Sequence, residues 1–243
     1  MIIKLTVLPD AESTQDVARQ MAISGAPEGT AVMALQQRRG RGRFGHSWIS
    51  PPGKNVALSL VLRPGLVPGE AVLLGLLVAV AVANVVEQCG VSEVGLKWPN
   101  DVLVGDGKVA GILSDASLED GIIQYVIVGV GLNVNAEQSD FPMNFAIQAT
   151  SLLICTGKQW DVEETARNLL YEVGLLYQRV HREGSEIIPG LWEQRWAHRG
   201  RIMVHNGVIG VAQALAPDGA LILKSSDGRL TRIVSGEVFA QGS

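Results

Sequence analysis

The chain is poor in cysteine, aromatics and net charge, and each shortage removes a class of protein. Only Cys89 and Cys155 are present, far apart and outside any paired-cysteine spacing, so neither a disulfide framework nor a zinc site is indicated and a reducing cytoplasm fits best. A net charge of -4 gives no general attraction to nucleic acid or anionic lipid, so any basic feature must act locally. The N-terminal MIIKLTVLPD carries one lysine and a short apolar run ending at Pro9, without the length or cleavage site of a signal peptide. The most apolar run, residues 71–86, falls short of the roughly 20 residues that span a bilayer and reads as a central buried helix. The motif inventory is equally thin. GVGLNV lacks the third glycine of a dinucleotide fingerprint, and Gly53-Lys54-Asn55 lacks the upstream glycine and the Ser/Thr of a P-loop. His46, His181, His198 and His205 have no metal-ligand spacing, and there is no Gly-x-Ser-x-Gly elbow.

With 243 residues, 47% of them hydrophobic, the chain can bury one large core or one core plus a small appended domain. Residues 2–8 alternate as a strand, and Ser13-Thr14-Gln15-Asp16 offers a capping box for a helix to about Ser24. Residues 30–36 and 56–62 read as strands, followed by the buried helix. Residues 94–98, 102–104, 109–114 and 122–134 read as a β-meander, with turns at Asp106-Gly107 and Glu119-Asp120-Gly121. Asp161 caps a helix carrying Leu169, Leu170, Val173, Leu176, Tyr177 and Val180, and Pro189 opens a short one. After Gly200, the dipeptides Asn206-Gly207, Asp218-Gly219 and Asp227-Gly228 punctuate four to five short strands of a small β-barrel-like domain. The expected fold is α+β: a mixed sheet packed with helices over residues 1–195, then a small β domain over residues 196–243.

Three segments carry chemistry. Residues 38–48, RRGRGRFGHSW, interleave Arg38, Arg39, Arg41 and Arg43 with Gly40, Gly42 and Gly45 and contain no acid. Glycines let backbone N–H groups approach an anion, while guanidinium forks pair with phosphate or carboxylate. Alone, this segment could equally be a solvated loop or an RNA-binding tail. In residues 96–113, LKWPNDVLVGDGKVAGIL, a hairpin can bring the Asp101 carboxylate to the Lys108 ammonium, holding it charged and aimed; the bland alternative is a surface pair of little worth. In residues 126–135, VIVGVGLNVN, Gly129 and Gly131 let backbone approach a ligand, or mark a bulge, with Asn133 at the strand's end.

Together these segments resemble the biotin protein ligases over nearly the whole chain. Ser13-Thr14-Gln15 is similar to that family's Ser-Thr-Asn biotin contact, Gln37 to its glutamine before the loop, and residues 40–43 to the loop itself. Residues 97–101 resemble its signature pentapeptide, residues 108–111 the segment of its key lysine, and residues 129–133 its glycine-bearing strand. Four departures stand out: His46 for a third arginine, Phe44 for an often charged residue, Arg38-Arg39 for small residues, and Gln15 for asparagine.

The resemblance implies a catalytic domain of class II synthetase-like type with an SH3-like C-terminal domain. It implies that biotin and Mg-bound ATP form biotinyl-5'-AMP, and that biotin then passes to a lysine of a biotin carboxyl carrier protein. It assigns biotin contacts to Ser13, Thr14, Gln15, Gln37, Gly40, Arg41, Gly42, Arg43, Lys108, Gly111, Leu113, Gly129 and Gly131. Adenylate contacts fall to Arg43, His46, Trp48, Asn100, Lys108 and Asn133, with Trp48 against the adenine, and catalysis to Arg41, Arg43, Lys108 and Asp101. The chain starts directly with the catalytic domain, so a cytoplasmic, monofunctional ligase is expected, with no DNA or membrane partner, and the resemblance allows a homodimer through exposed sheet. Glycine content favours a loop that is disordered until ligand arrives. A lipoate-handling ligase and an RNA-binding module are the competing readings, the second opposed by acidity and by aromatics at 5%.

Overall fold

The computed structural model describes residues 2–141 and 148–241. Strand β1 (Lys4–Leu8) crosses through helix α1 (Thr14–Ile23) to β2 (Thr30–Ala34), which lies parallel to β1, as a helical crossover permits. β3 (Val56–Leu62) adds antiparallel to β2. After helix α2 (Ala71–Gln88) come β4 (Val94–Lys97), β5 (Asp101–Val104), β6 (Gly107–Glu119) and β7 (Ile122–Leu132), an antiparallel meander whose last strand returns to pair with β3. The resulting sheet has the order β1-β2-β3-β7-β6-β5-β4. Helices α3 (Leu152–Thr156), α4 (Val162–Glu183) and α5 (Ile187–Glu193) follow.

Helix α2 is rich in valine, which favours strands, yet 13 of its 18 residues are buried and the core decides its conformation. It packs on one face of the sheet with α4 and α5, while α1 covers part of the other face through Ala18 and Ala22 against Val32, Val61 and Ile127. Length does not exclude α2 from a bilayer, contrary to the reading of residues 71–86: with its lead-in turn it reaches 21 residues and is long and apolar enough to cross one. Its burial inside the fold is what marks it as a core helix.

Three local readings shift. The turn between β5 and β6 is Gly105-Asp106, with Gly105 at φ 55, so Gly107 already begins the strand. The side chain of Ser13 does not cap α1. Instead Gln37 Oε1 accepts from the Thr14 N–H at 2.8 Å and from the Thr14 hydroxyl at 3.1 Å, leaving Ser13 on a cavity wall. Asp161 does cap α4, accepting from the Glu164 N–H at 2.8 Å. Helix α5 begins at Ile187, two residues before Pro189, which sits in its first turn.

The second sheet has the order β11-β10-β9-β8-β12, built from β8 (Ile202–His205), β9 (Val208–Leu215), β10 (Leu221–Lys224), β11 (Leu230–Ile233) and β12 (Phe239–Ala240). Asn206 and Gly207, both at positive φ, make the β8–β9 turn. This antiparallel unit has the SH3-like architecture. It docks where the Trp98 Nε1–H donates to the Gly219 carbonyl at 2.9 Å and Gly219 approaches Leu73 and Leu76 of α2. Residues 195–197 hydrogen-bond along edge strand β4, through Leu96 N–H to Arg195 O and Ala197 N–H to Leu96 O, and so cover its open edge.

Candidate active site

The sheet face beneath α1 forms the floor of a cavity of about 600 Å³. Side chains alternate along a strand, so Gly111 and Leu113 of β6, Gly129 and Gly131 of β7, and Ser59 of β3 share this face. The floor glycines are spaces that other side chains fill. A Cβ on Gly129 would stand 2.5 Å from Gln15 Oε1, and one on Gly131 would stand 2.2 Å from Trp48 Cε2. Gln15, only 3% exposed, lies across β7 with Ser59 Oγ 3.0 Å from its Oε1, and Ser59 also reaches Thr14 Oγ1 at 2.9 Å.

The arginine-glycine segment forms the roof. Where its glycines alone favour disorder, backbone hydrogen bonds from Trp48 N–H to Gly40 O at 2.9 Å and from Gly42 N–H to His46 O at 2.7 Å close it into a hairpin. Its tip is a tight turn over Arg43–Gly45, with Phe44 at φ 53. Gly40 is required there because a Cβ would fall 2.3 Å from the Trp48 carbonyl oxygen. Arg41 pairs with Asp16 on α1 at 2.8 Å. Arg43 points inward, where Nη1 donates to Asn100 Oδ1 at 3.2 Å and to the Gly236 carbonyl at 3.3 Å. Burial lowers the pKa of Arg43, opposed by the nearby carboxylates of Asp101 and Glu237, but a guanidinium stays charged at any ordinary pH.

Lys108 Nζ lies 2.6 Å from Asp101 Oδ1. The pair is largely shielded, with side-chain exposures of 27% and 11%, so it is no surface pair. The angle falls short of a hydrogen bond: Asp101 Oδ1 is buried with charge compensation but no directed donor among the described residues. Lys108 Nζ also stands 5.6 Å from the Trp48 ring centroid. Its backbone is held by Asn133, whose Nδ2 donates to the Thr150 carbonyl at 3.0 Å and to the Lys108 carbonyl at 3.5 Å. Asn133 is in turn held by buried Asn55, whose Nδ2 donates to Asn133 Oδ1 at 3.2 Å. Asn100, in the turn between β4 and β5, fastens that turn to β6 through Nδ2 to the Ile112 carbonyl. Lys97 faces the same space, its pKa lowered first by burial and further by Lys108, with Asp101 and Glu237 opposing.

Cations thus crowd one end of a deep cavity, and polar side chains from α1 and β3 line the other. The model of the biotin/lipoate A/B protein ligase family matches residues 7–133, and that of the biotin protein ligase C-terminal domain matches residues 202–240. A biotin–[acetyl-CoA-carboxylase] ligase of Paracoccus denitrificans is 33% identical over 243 residues, covering 97% of this chain and 100% of that protein. The chain belongs to the biotin protein ligase family.

Other members extend the likeness to this ligase. The bifunctional ligase/repressor BirA of Bacillus subtilis is 35% identical over 230 residues, 93% of this chain and 70% of that protein. A solved biotin protein ligase from Aquifex aeolicus in complex with biotin and ATP superimposes with a TM-score of 0.83 at 28% identity, covering 99% of both chains.

The structure brings Ser13, Thr14, Gln15, Gln37, Arg41, Gly42, Arg43, His46, Trp48, Asn100, Asp101, Lys108, Gly111, Leu113, Gly129, Gly131 and Asn133 of the ligase to this one cavity. Gly40 is the exception, buried at the base of the roof hairpin. Ser59 and residues 237–239, which the sequence did not single out, line the same space, as does Lys97, which belongs to the signature pentapeptide but was assigned no contact. Ser59 had a signal, a lone hydroxyl in the apolar run VALSLVL. Residues 237–239 had none, since only docking of the second sheet brings them here.

Proposed function

We infer that this chain is an ATP-dependent biotin ligase that forms biotinyl-5'-AMP in the cavity and passes biotin to a lysine of a biotin carboxyl carrier domain. The observation that carries the reading is the shielded Lys108–Asp101 pair lying under an arginine hairpin at one end of the cavity. A carboxylate is a poor electrophile, and ATP repels it. Arg41, Arg43 and Lys108 neutralise the biotin carboxylate and the α-phosphate as the carboxylate oxygen attacks phosphorus. The bond to the bridging oxygen breaks and pyrophosphate leaves. The neutral amine of the carrier lysine then attacks the mixed anhydride carbonyl, forming the amide, and AMP departs. Arg41 must exchange Asp16 for the ligand, a light exchange because both partners are over a third exposed.

Ser13, Thr14, Gln15 and Gln37 form the biotin end with the floor glycines, and His46, Trp48 and Asn100 form the adenylate end with Arg43 and Lys108. Asn133 takes a different part from direct nucleotide contact: its amide is engaged by backbone, so it holds the strand that aims Lys108. Mg²⁺ carried by a triphosphate needs only one or two protein carboxylates. Glu237 on the cavity wall fits that requirement, while Asp101 is committed to Lys108, and the ion would neutralise phosphate charge there.

Arg41→Ala and Lys108→Ala should each lower biotin-dependent pyrophosphate exchange by roughly 10²- to 10³-fold, the cost of removing a transition-state charge partner, while circular dichroism shows the fold intact. Near-normal exchange in both variants overturns the assigned roles. Incubation of the unaltered protein with Mg-ATP and either biotin or lipoate, followed by mass spectrometry, should yield the biotinyl adenylate. Lipoyl adenylate alone, or no adenylate, overturns the reading.

A further inference from the structure

We propose that Asp115, pinned by Arg19, is a positioning residue that fixes the polarity of the Gln15 amide, making the closed end of the cavity a hydrogen-bond acceptor for a ligand N–H. The inference rests on the biotin-site reading above and adds a layer of residues that does not line the cavity itself.

Gln15 Nε2 has two protons, and both are used. One goes to Asp115 Oδ2 and the other to the Ile127 carbonyl, each at 3.2 Å. Oε1 therefore points the other way, over Gly129, with Ser59 Oγ at 3.0 Å and a lone pair left over. A flipped amide would set that oxygen against a carboxylate and a carbonyl, acceptor against acceptors, in a residue that is 3% exposed. Asp115 makes the choice decisive because, unlike an amide, an ionised carboxylate can only accept.

The chain builds this arrangement from two regular spacings. Asp115 lies two residues beyond Leu113 on β6, on the cavity face but past the cavity's end. Arg19 lies one turn after Gln15 on α1 and faces the same way. Its Nη2 pairs with Asp115 at 2.8 Å and its Nη1 with Asp16 at 3.1 Å. Asp16 also holds Arg41, so an alternating chain of charge, Arg41–Asp16–Arg19–Asp115, ends on the Gln15 amide. Glutamine suits this position because its side chain crosses the Gly129 gap to reach Asp115. A ligand whose buried head carries an N–H, such as the ureido ring of biotin, is accepted at Oε1. A dithiolane head offers no proton.

The test is Asp115→Asn in the full chain, which keeps the shape but admits both amide orientations. The biotin KM should rise roughly tenfold, the scale of one hydrogen bond to a charged group, while kcat at saturating biotin and the KM for ATP stay within about twofold. In a Gln15→Leu background, Asp115→Asn should add no further rise, because its effect passes through the amide. Arg19→Gln, which leaves both groups in place, should raise the biotin KM in the same direction by a smaller factor and serves should Asp115→Asn fold poorly. An unchanged biotin KM in Asp115→Asn and Arg19→Gln, an equal rise in the Gln15→Leu background, or a matching rise for ATP would each refute the proposal. Failure of the unaltered protein to form biotinyl adenylate is a separate result that strikes the biotin-site reading instead.

Discussion

Gly131→Ala tests whether the roof and floor of the cavity are one fitted unit. The added Cβ would stand 2.2 Å from Trp48 Cε2, 2.4 Å from Nε1 and 2.6 Å from Cζ2, against an ordinary contact of 3.4–4 Å, so the indole must recede by more than an ångström. Trp48 lines the cavity, and among the described residues no hydrogen bond holds its Nε1 in place. What opposes the movement is packing on Gly111 and the contact with Lys108. Overpacking of this kind costs about 1–3 kcal/mol. The strand itself tolerates alanine, because Gly131 is not at positive φ and its pairing with Ala57 and Gly111 involves backbone alone. Thermal unfolding should therefore shift by a few degrees, roughly the 2–4 °C per kcal/mol of a chain this size, while the KM for ATP rises at least about tenfold as Trp48 leaves the end proposed for the adenylate. In a Trp48→Ala background the same substitution should cost little stability, since the colliding ring is gone. An unchanged KM for ATP, or an equal loss of melting temperature with and without Trp48, would refute the fitted-unit argument.

Two further predictions concern pH. His198 has its pKa lowered from 6.5 by burial first, then by the charges of Lys97 and Arg201 against the opposing pull of Asp106, and its Nδ1 is buried without a partner. The folded state thus resists a proton that the unfolded chain takes up, so its contribution is fully present above about pH 6.5 and falls away as the pH drops below that value. Urea denaturation at pH 7.5 and pH 5 should show a larger loss in the unaltered protein than in His198→Gln; equal losses overturn the assignment. Glu87 has its pKa lowered from 4.5, mainly by its hydrogen bond from Arg195, and that contribution is present above about pH 4.5 and lost as the pH falls through the lowered value. Because the carboxylate is 41% exposed, Glu87→Gln should cost under about 1 kcal/mol at pH 7 and flatten the acid limb of the stability profile. A steeper acid limb in the variant would contradict the sign.

What the sequence disclosed follows the range of the forces involved. Local signals read well: Asn206-Gly207 at a hairpin, Asp161 at a cap, and the separation of Asp101 from Lys108 across a tight turn all rest on a few neighbouring residues. The order β3-β7 was not legible, because that pairing joins strands far apart in the chain and only the finished core specifies it. The capping box failed for an instructive reason. Ser13 has the right residue type, but a glutamine 23 positions away from Thr14 reaches the helix end first, and the serine is left to the cavity. Asn133 lies on the cavity, and its hold on the Lys108 and Thr150 carbonyls was not legible, since an amide at the end of a glycine-bearing strand carries no mark of the backbone it will reach.

That distinction between engaged and open groups also explains why the cavity suits an anion meeting an anion. Its amides are largely engaged: Asn133 and Asn100 on backbone carbonyls, Gln37 on α1, and both protons of Gln15 on Asp115 and Ile127. The cations are less so. Among the described residues, Lys108 has one carboxylate for three protons, Arg43 uses a single nitrogen on Asn100 and Gly236, and Arg41 pairs with Asp16 alone. Neutral groups therefore hold the frame rigid while charged donors keep unused capacity at one end, where a carboxylate and a phosphate must approach. Two anions drawn together in water lose little repulsion to bulk screening alone, but in the proposed site each would meet a guanidinium or ammonium, with Lys108 and Arg43 already held by Asp101, Asn100 and Gly236 and Arg41 released from Asp16. For Lys108 and Arg43 the reorganisation at the moment of reaction would be small, which is the condition under which electrostatic stabilisation lowers a barrier most.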